Sequence, residues 1–340
     1  MTLAEMLRVQ AGHCERLGSP LYADLLERMA VDVGEGGPAW EVLRGHEDDP
    51  PGSLPALRLL GTAHRLALEG GAPELAAAYE SDDAPAAWMA FRALLEREGE
   101  ELRLGMGRPI QTNEVGRCAA LLPGFLAVAT EFGLPLRLLE VGTSAGLNLR
   151  WDRYRYEAGG FAWGDASSPL RLEFELSGEF PSDPQVTVSE RRGCDAAPLD
   201  PTTEEGRLTL LAYLWPDQKE RRRRLLAALE AVSDVPAEVE RASAAAWIAE
   251  QLREPRPGVA TVVFHSIVLQ YLSREEREAF IATLGEAGER ATAAAPLAWL
   301  RMEAAGDHAD VRLTTWPGGE ERHLARVGYH GTPVELLPSS

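Results

Sequence analysis

Apolar positions change their spacing once along the chain, near residue 136. Before that point they recur every three or four residues, the stripe of amphipathic helices, and no convincing strand alternation occurs. Leu3, Leu7, Val9 and Leu17 begin one helix, and residues 21–29 form a second. Gly34-Glu35-Gly36-Gly37-Pro38 is a break, and further helices are predicted over 54–68, 73–79, 84–98 and 115–132. Residues 1–130 therefore read as a helical N-terminal domain, either a bundle that only stabilises the rest of the chain or a substrate-gating cap. From Leu136 onward strands alternate with helices, which implies a mostly parallel α/β sheet. Its strands start at Leu136, Val186, Glu238, Val259 and Leu297, with helices over 208–232 and 273–285. Residues 154–180, containing the alternating 170–176, read as a small antiparallel insertion. Residues 311–316 and 322–327 flank Pro317-Gly318-Gly319 and predict a C-terminal antiparallel hairpin.

The chemistry concentrates where the first strand ends, at Glu140-Val141-Gly142-Thr143-Ser144-Ala145-Gly146-Leu147-Asn148. A buried strand that stops at an acid and turns through glycines into a helix lets a ligand approach the backbone and meet unpaired N–H groups. A dinucleotide fingerprint fails, because Ser144 and Leu147 stand where its second and third glycines belong. A phosphate loop fails for want of a lysine. Two readings remain. Glu140, Gly142 and Gly146 resemble motif I of S-adenosylmethionine-dependent methyltransferases, with Ser144 replacing the middle glycine. The same five residues, 142–146, spell G-x-S-x-G, the nucleophile elbow of α/β-hydrolases with Ser144 as nucleophile.

The methyltransferase resemblance implies roles for further residues. Glu140 would organise the glycine turn and hold the methionine amino group, with Gly142, Thr143, Ser144, Gly146 and Asn148 around the cofactor. Gly193-x-Asp195-x-x-Pro198 resembles the end of the second strand, where a carboxylate accepts bonds from both ribose hydroxyls. Ser243 stands where related enzymes place an Asp for the adenine amino group. His265 and Ser266 end the fourth strand, where open α/β sheets bind ligands and where methyltransferases face the substrate; both are catalytic candidates, His265 as a general base or as a group that orients the acceptor. Upstream, Thr112 or Asn113 is a candidate cap for a helix starting near Glu114. The alternative sets Asn113 and Arg117 over the cofactor pocket, with Arg117 pairing a carboxylate bidentately.

Composition narrows the partners. The 340 residues carry a formal net charge of −19, which disfavours nucleic acid and anionic membrane surfaces. The Arg221–Arg224 run falls on a helix with flanking carboxylates and reads as a solvated face. Cys14, Cys118 and Cys194 are too scattered for disulfides or a zinc site. With no signal-peptide core and no span-length apolar segment, a cytoplasmic protein without metal is expected.

The whole chain also resembles a bacterial family of unknown function (domain of unknown function 2332). The likeness is carried by 111–117, 139–148, 191–198, Leu214-Trp215-Pro216-Asp217-Gln218 and 262–272. The expectation is therefore α/β: a Rossmann-like methyltransferase sheet over 131–340, following the helical domain. It would bind S-adenosylmethionine and methylate a small-molecule or protein acceptor. A non-catalytic binding protein and a serine hydrolase stand as alternatives.

Overall fold

Proline occupies one of the first two positions of five successive α-helices, where its missing N–H costs no intrahelical bond. The helix before them is closed by a reciprocal capping box between Thr2 and Glu5. The computed structural model describes residues 1–180 and 184–338. Its helices are α1 (Leu3–Arg16), α2 (Pro20–Glu35), α3 (Pro38–Leu43), α4 (Pro55–Leu68), α5 (Pro73–Glu80), α6 (Ala84–Gly105), α7 (Arg117–Phe132), α8 (Glu204–Ala212), α9 (Lys219–Glu230), α10 (Ala244–Gln251) and α11 (Arg274–Glu289). Its strands are β1 (Leu136–Val141), β2 (Arg155–Ala158), β3 (Phe161–Trp163), β4 (Arg171–Glu173), β5 (Leu176–Ser177), β6 (Val188–Asp195), β7 (Glu238–Arg241), β8 (Ala260–Ser266), β9 (Leu297–Ala305), β10 (His308–Trp316), β11 (Glu320–Val327) and β12 (Val334–Leu336). The helices anticipated before residue 136 are present, α6 continues past Glu98 through a kink at that residue, and the helix expected over 208–232 is split into α8 and α9.

The chain divides into two units, and the boundary differs from a cut at 130. The helical unit comprises Met1–Thr112 together with Thr203–Arg223, so α7 lies outside it and a later segment joins it. Side-chain bonds explain the recruitment. Arg65 donates to Glu205 at 3.0 Å and to Thr209 at 3.1 Å. Asp217 accepts from the Ser19 hydroxyl at 2.6 Å and from the Leu21 N–H at 3.0 Å, satisfying an orphan donor of the first turn of α2. Gln218 donates to the Leu17 carbonyl at 2.8 Å, just beyond α1. The Leu214–Gln218 motif thus clamps the α1–α2 corner, and no periodicity in the sequence advertises that.

The α/β unit, Asn113–Thr202 and Arg224–Ser340, holds a nine-stranded sheet in the order β5-β12-β11-β10-β9-β8-β1-β6-β7. Neighbours from β7 to β9 all run parallel. Numbered among themselves these five strands lie 3-2-1-4-5, so the chain reverses its winding direction between β1 and β8. The expected β10–β11 hairpin is present. In addition β10 returns antiparallel directly from β9, and β12 extends the meander, where the sequence suggested one closing hairpin. The insertion forms the sheet β3-β2-β4, but only β2–β3 is antiparallel, and β5 joins the main sheet beside β12.

Both faces of the main sheet are covered. On one, α10 and α11 close a core of Leu139, Val141, Val263, Ile248, Phe280 and Leu284. On the other, α7 is buried nearly all round, as a helix without a polar face must be. Its Phe125 stacks on Trp151 at 4.2 Å, and its Gly124 lets Leu300 of β9 come close.

Candidate functional site

The edge where β1, β6 and β8 end gathers most of the residues singled out from the sequence. Glu140, the next-to-last residue of β1, is 3% exposed. Its carboxyl takes a 2.5 Å bond from the Thr143 hydroxyl, and no ion pair reaches it among the described residues. Burial pushes this carboxyl up to about 8, against hydrogen bonds from Thr143 and Asn148. Asn148 in turn accepts from the Cys118 thiol at 3.3 Å.

The turn that follows is coiled tightly, with Gly142, Ser144 and Gly146 at φ of 68°, 52° and 70°. Most of its N–H groups are spent inside the protein. Gly142 and Thr143 donate to the Cys194 carbonyl at 2.9 and 3.1 Å, and Gly146 donates to Thr143 at 2.8 Å. Ser144 N–H donates to Asp195 Oδ2 at 2.9 Å, and Leu147 N–H to Asn113 Oδ1 at 2.9 Å. The expected helix is absent: Asn148–Arg153 is a six-residue 3-10 turn, broken at Arg150, before the chain enters β2. Arg150 accounts for part of this, donating to the Gly146 carbonyl at 2.7 Å and to the Val235 carbonyl at 2.7 Å. A ready anion cradle at a helix N-terminus is therefore not what this turn builds.

Asp195 ends β6 and accepts the N–H groups of Ser144 and Ala197, at 2.9 and 2.8 Å. Gly193, two residues earlier, lets Thr143 pack: a Cβ there would lie 2.8 Å from Thr143 Cγ2. Ser243 is exposed at the end of β7; it is the N-cap residue of α10 without a side-chain capping bond. It adjoins Asp195 through Ala242, whose N–H donates to the Asp195 carbonyl at 3.1 Å. Asn113 and Arg117 also reach this edge, though neither caps α7, whose N-cap is Gly116. Their side chains are needed elsewhere. Asn113 holds the glycine turn, and Arg117 donates to the Tyr329 and Ser266 carbonyls, both at 3.1 Å.

His265 does not face solvent. It is fully buried, its Nε2 accepts from Trp299 Nε1 at 3.0 Å, and its Nδ1 lies 2.7 Å from Glu303 Oε1. An indole nitrogen only donates, so Nε2 carries no proton and Nδ1–H points at Glu303. Both nitrogens of this imidazole are thus engaged inside the protein. Glu303, which the sequence reading passed over, also accepts from the N–H of Val268 at 3.0 Å and of Leu269 at 3.3 Å. Burial alone would raise its carboxyl; the bonds from His265 and these N–H groups bring it below the usual range. One signal was available: β9, like β1 and β6, carries an acid near its carboxyl end.

Between these groups one residue of the turn reaches solvent. Every residue from 136 to 151 is buried except Gly142, which is exposed. A Cβ on Gly142 would sit 2.6 Å from Val268 Cγ2, so the segment after β8 packs directly against this glycine. Ile267, just before it, holds φ at 56°, costly for a β-branched residue by about 1–3 kcal/mol.

The fold defines a doubly wound α/β protein, and the residues singled out from the sequence gather at the switch point of its sheet, at the carboxyl ends of β1 and β8. The chain belongs to a family of uncharacterized proteins conserved in bacteria (DUF2332), whose model matches residues 4–336. No curated protein and no solved structure matches it. No helix among the described residues is long and apolar enough to cross a membrane.

Proposed function

We propose that the α/β unit binds S-adenosylmethionine at the exposed Gly142 and passes its methyl group to a small-molecule or protein acceptor. One observation carries the reading: at the switch point of a 3-2-1-4-5 sheet, the only exposed residue of the 136–151 run is a glycine with a buried acid two residues before it. With the turn's N–H groups at 142–144, 146 and 147 already bonded, the turn suits a nucleoside without phosphates better than a dinucleotide. Glu140 would answer the cationic end of such a ligand, since a nearby cation lowers a carboxyl and drives off its proton. Asp195, oriented by two N–H donors, would take the ribose hydroxyls, and Ser243 beside it would meet the base. When bound, the cofactor supplies an electrophilic methyl on a sulfonium. The protein's part is alignment and exclusion of water, which need no base at His265. The net charge of −19 speaks against a nucleic-acid acceptor.

A second reading, a protein that binds the cofactor without transferring its methyl, gains from the commitment of both His265 nitrogens. Calorimetric titration of the full chain with S-adenosylmethionine near pH 7, in two buffers of different ionisation heat, tests the first claim. Binding with release of up to one proton is expected, lost in Gly142→Val. No heat at millimolar ligand overturns it. Incorporation of labelled methyl into an extract then separates the two readings.

A further inference from the structure

The segment following β8 is bound in an unusual way. Ile267 is in the left-handed region, with its N–H on the Met302 carbonyl at 2.8 Å. The next two N–H groups, of Val268 and Leu269, converge with His265 Nδ1 on one oxygen of Glu303. Successive N–H groups around a left-handed residue form a concave anion nest, and here the protein fills it with its own carboxylate. The segment continues as a 3-10 turn, Leu269–Tyr271, ending on a tyrosine 63% exposed. Val268 Cγ2 meanwhile lies against Gly142.

We propose that residues 267–271 are a strap whose position against Gly142 is set by Glu303, acting as a positioning residue. The carboxylate holds a strained backbone in place, and releasing it lets Val268 withdraw from Gly142. His265 is the platform that orients the carboxylate, which gives a physical reason for a buried imidazole at this strand end. As regulation of ligand entry the inference rests on the cofactor reading above; as a statement about Glu303 and Val268 it does not.

The test places a cysteine at 268 and follows its alkylation by iodoacetamide in the full chain. Cys14, Cys118 and Cys194 are at most 1% exposed and supply a silent background. In Val268→Cys alone the thiol should react slowly. Adding Glu303→Ala, which removes hydrogen bonds to a charged acceptor, should speed labelling about tenfold or more. Glu303→Gln keeps an acceptor oxygen and should restore much of the protection. An unchanged rate in the Glu303→Ala protein overturns the proposal. So does a matching rise at Cys118 and Cys194, which means that the whole unit has loosened. A final arm adds millimolar S-adenosylmethionine. A change at position 268 supports strap and ligand together, whereas dependence on Glu303 with no response to ligand supports the strap and counts against the cofactor.

Discussion

Replacing Glu140 by Gln should stabilise the protein increasingly as pH rises. The carboxyl is held at about 8 by burial, against an ordinary 4.5. Between those values the folded state keeps a proton that the unfolded chain gives up. The unfolded state therefore binds fewer protons, and stability falls with rising pH across that window. The cost of the native carboxyl is about 1 kcal/mol at pH 5, about 3 at pH 7 and 4–5 at pH 8.5, following the linkage relation for one displaced group. Gln has the same shape, still accepts from Thr143, and does not titrate. Any constant cost of its extra N–H groups cancels when the two proteins are compared across pH. Urea unfolding of both proteins at pH 5, 7 and 8.5, followed by circular dichroism and tryptophan fluorescence, reads the difference. The advantage of Glu140→Gln should grow by about 4 kcal/mol over that range. Parallel pH profiles for the two proteins would refute the reasoning, since they would mean that Glu140 titrates as it does in the unfolded chain.

Other outcomes follow from the same geometry. Gly193→Ala drives a methyl into Thr143, 2.8 Å away, and should cost about 1–3 kcal/mol in chemical denaturation; a change within experimental error would mean that the turn shifts freely. Asp217→Ala removes the bonds to Ser19 and Leu21 and should destabilise the helical unit by about 2–3 kcal/mol, with faster proteolysis inside 203–223. His64 is buried and bonded to the Ala212 carbonyl at 3.2 Å, and burial lowers it to about 4 from an ordinary 6.5. Its contribution is intact above pH 6.5 and lost as pH falls toward 4, about 3 kcal/mol in all; His64→Phe should flatten that acid limb of the stability curve. A fluorophosphonate should give no labelling that depends on Ser144, because the strand–turn–helix elbow is replaced by a 3-10 turn and His265 is committed elsewhere. Labelling lost in Ser144→Ala would reinstate the hydrolase.

Local pattern determined much of this protein. Thr2 and the prolines at helix starts set the starts of α1, α2, α4, α5 and α6 within a residue or so, because caps act locally, while the short α3 went unread and α2 and α6 run past their predicted ends. The apolar runs at 136–141 and 259–266 could only be buried strands, and an acid followed by glycines marked the end of β1 as the place for a ligand. What lies far apart in the chain was decided by tertiary structure. The sequence does not say that 203–223 returns to the helical unit, since the bonds of Asp217 and Gln218 span about two hundred residues. Nor does it say that His265 meets Trp299 and Glu303 instead of solvent, because the parallel register of β8 and β9 sets those neighbours. The glycine turn shows the division most plainly. Its sequence permits close approach by any partner, and folding brings Val268 to Gly142 and Val239 to Gly146 while leaving Gly142 exposed. A backbone's freedom is a local property; what occupies the space beside it depends on every strand packed around it.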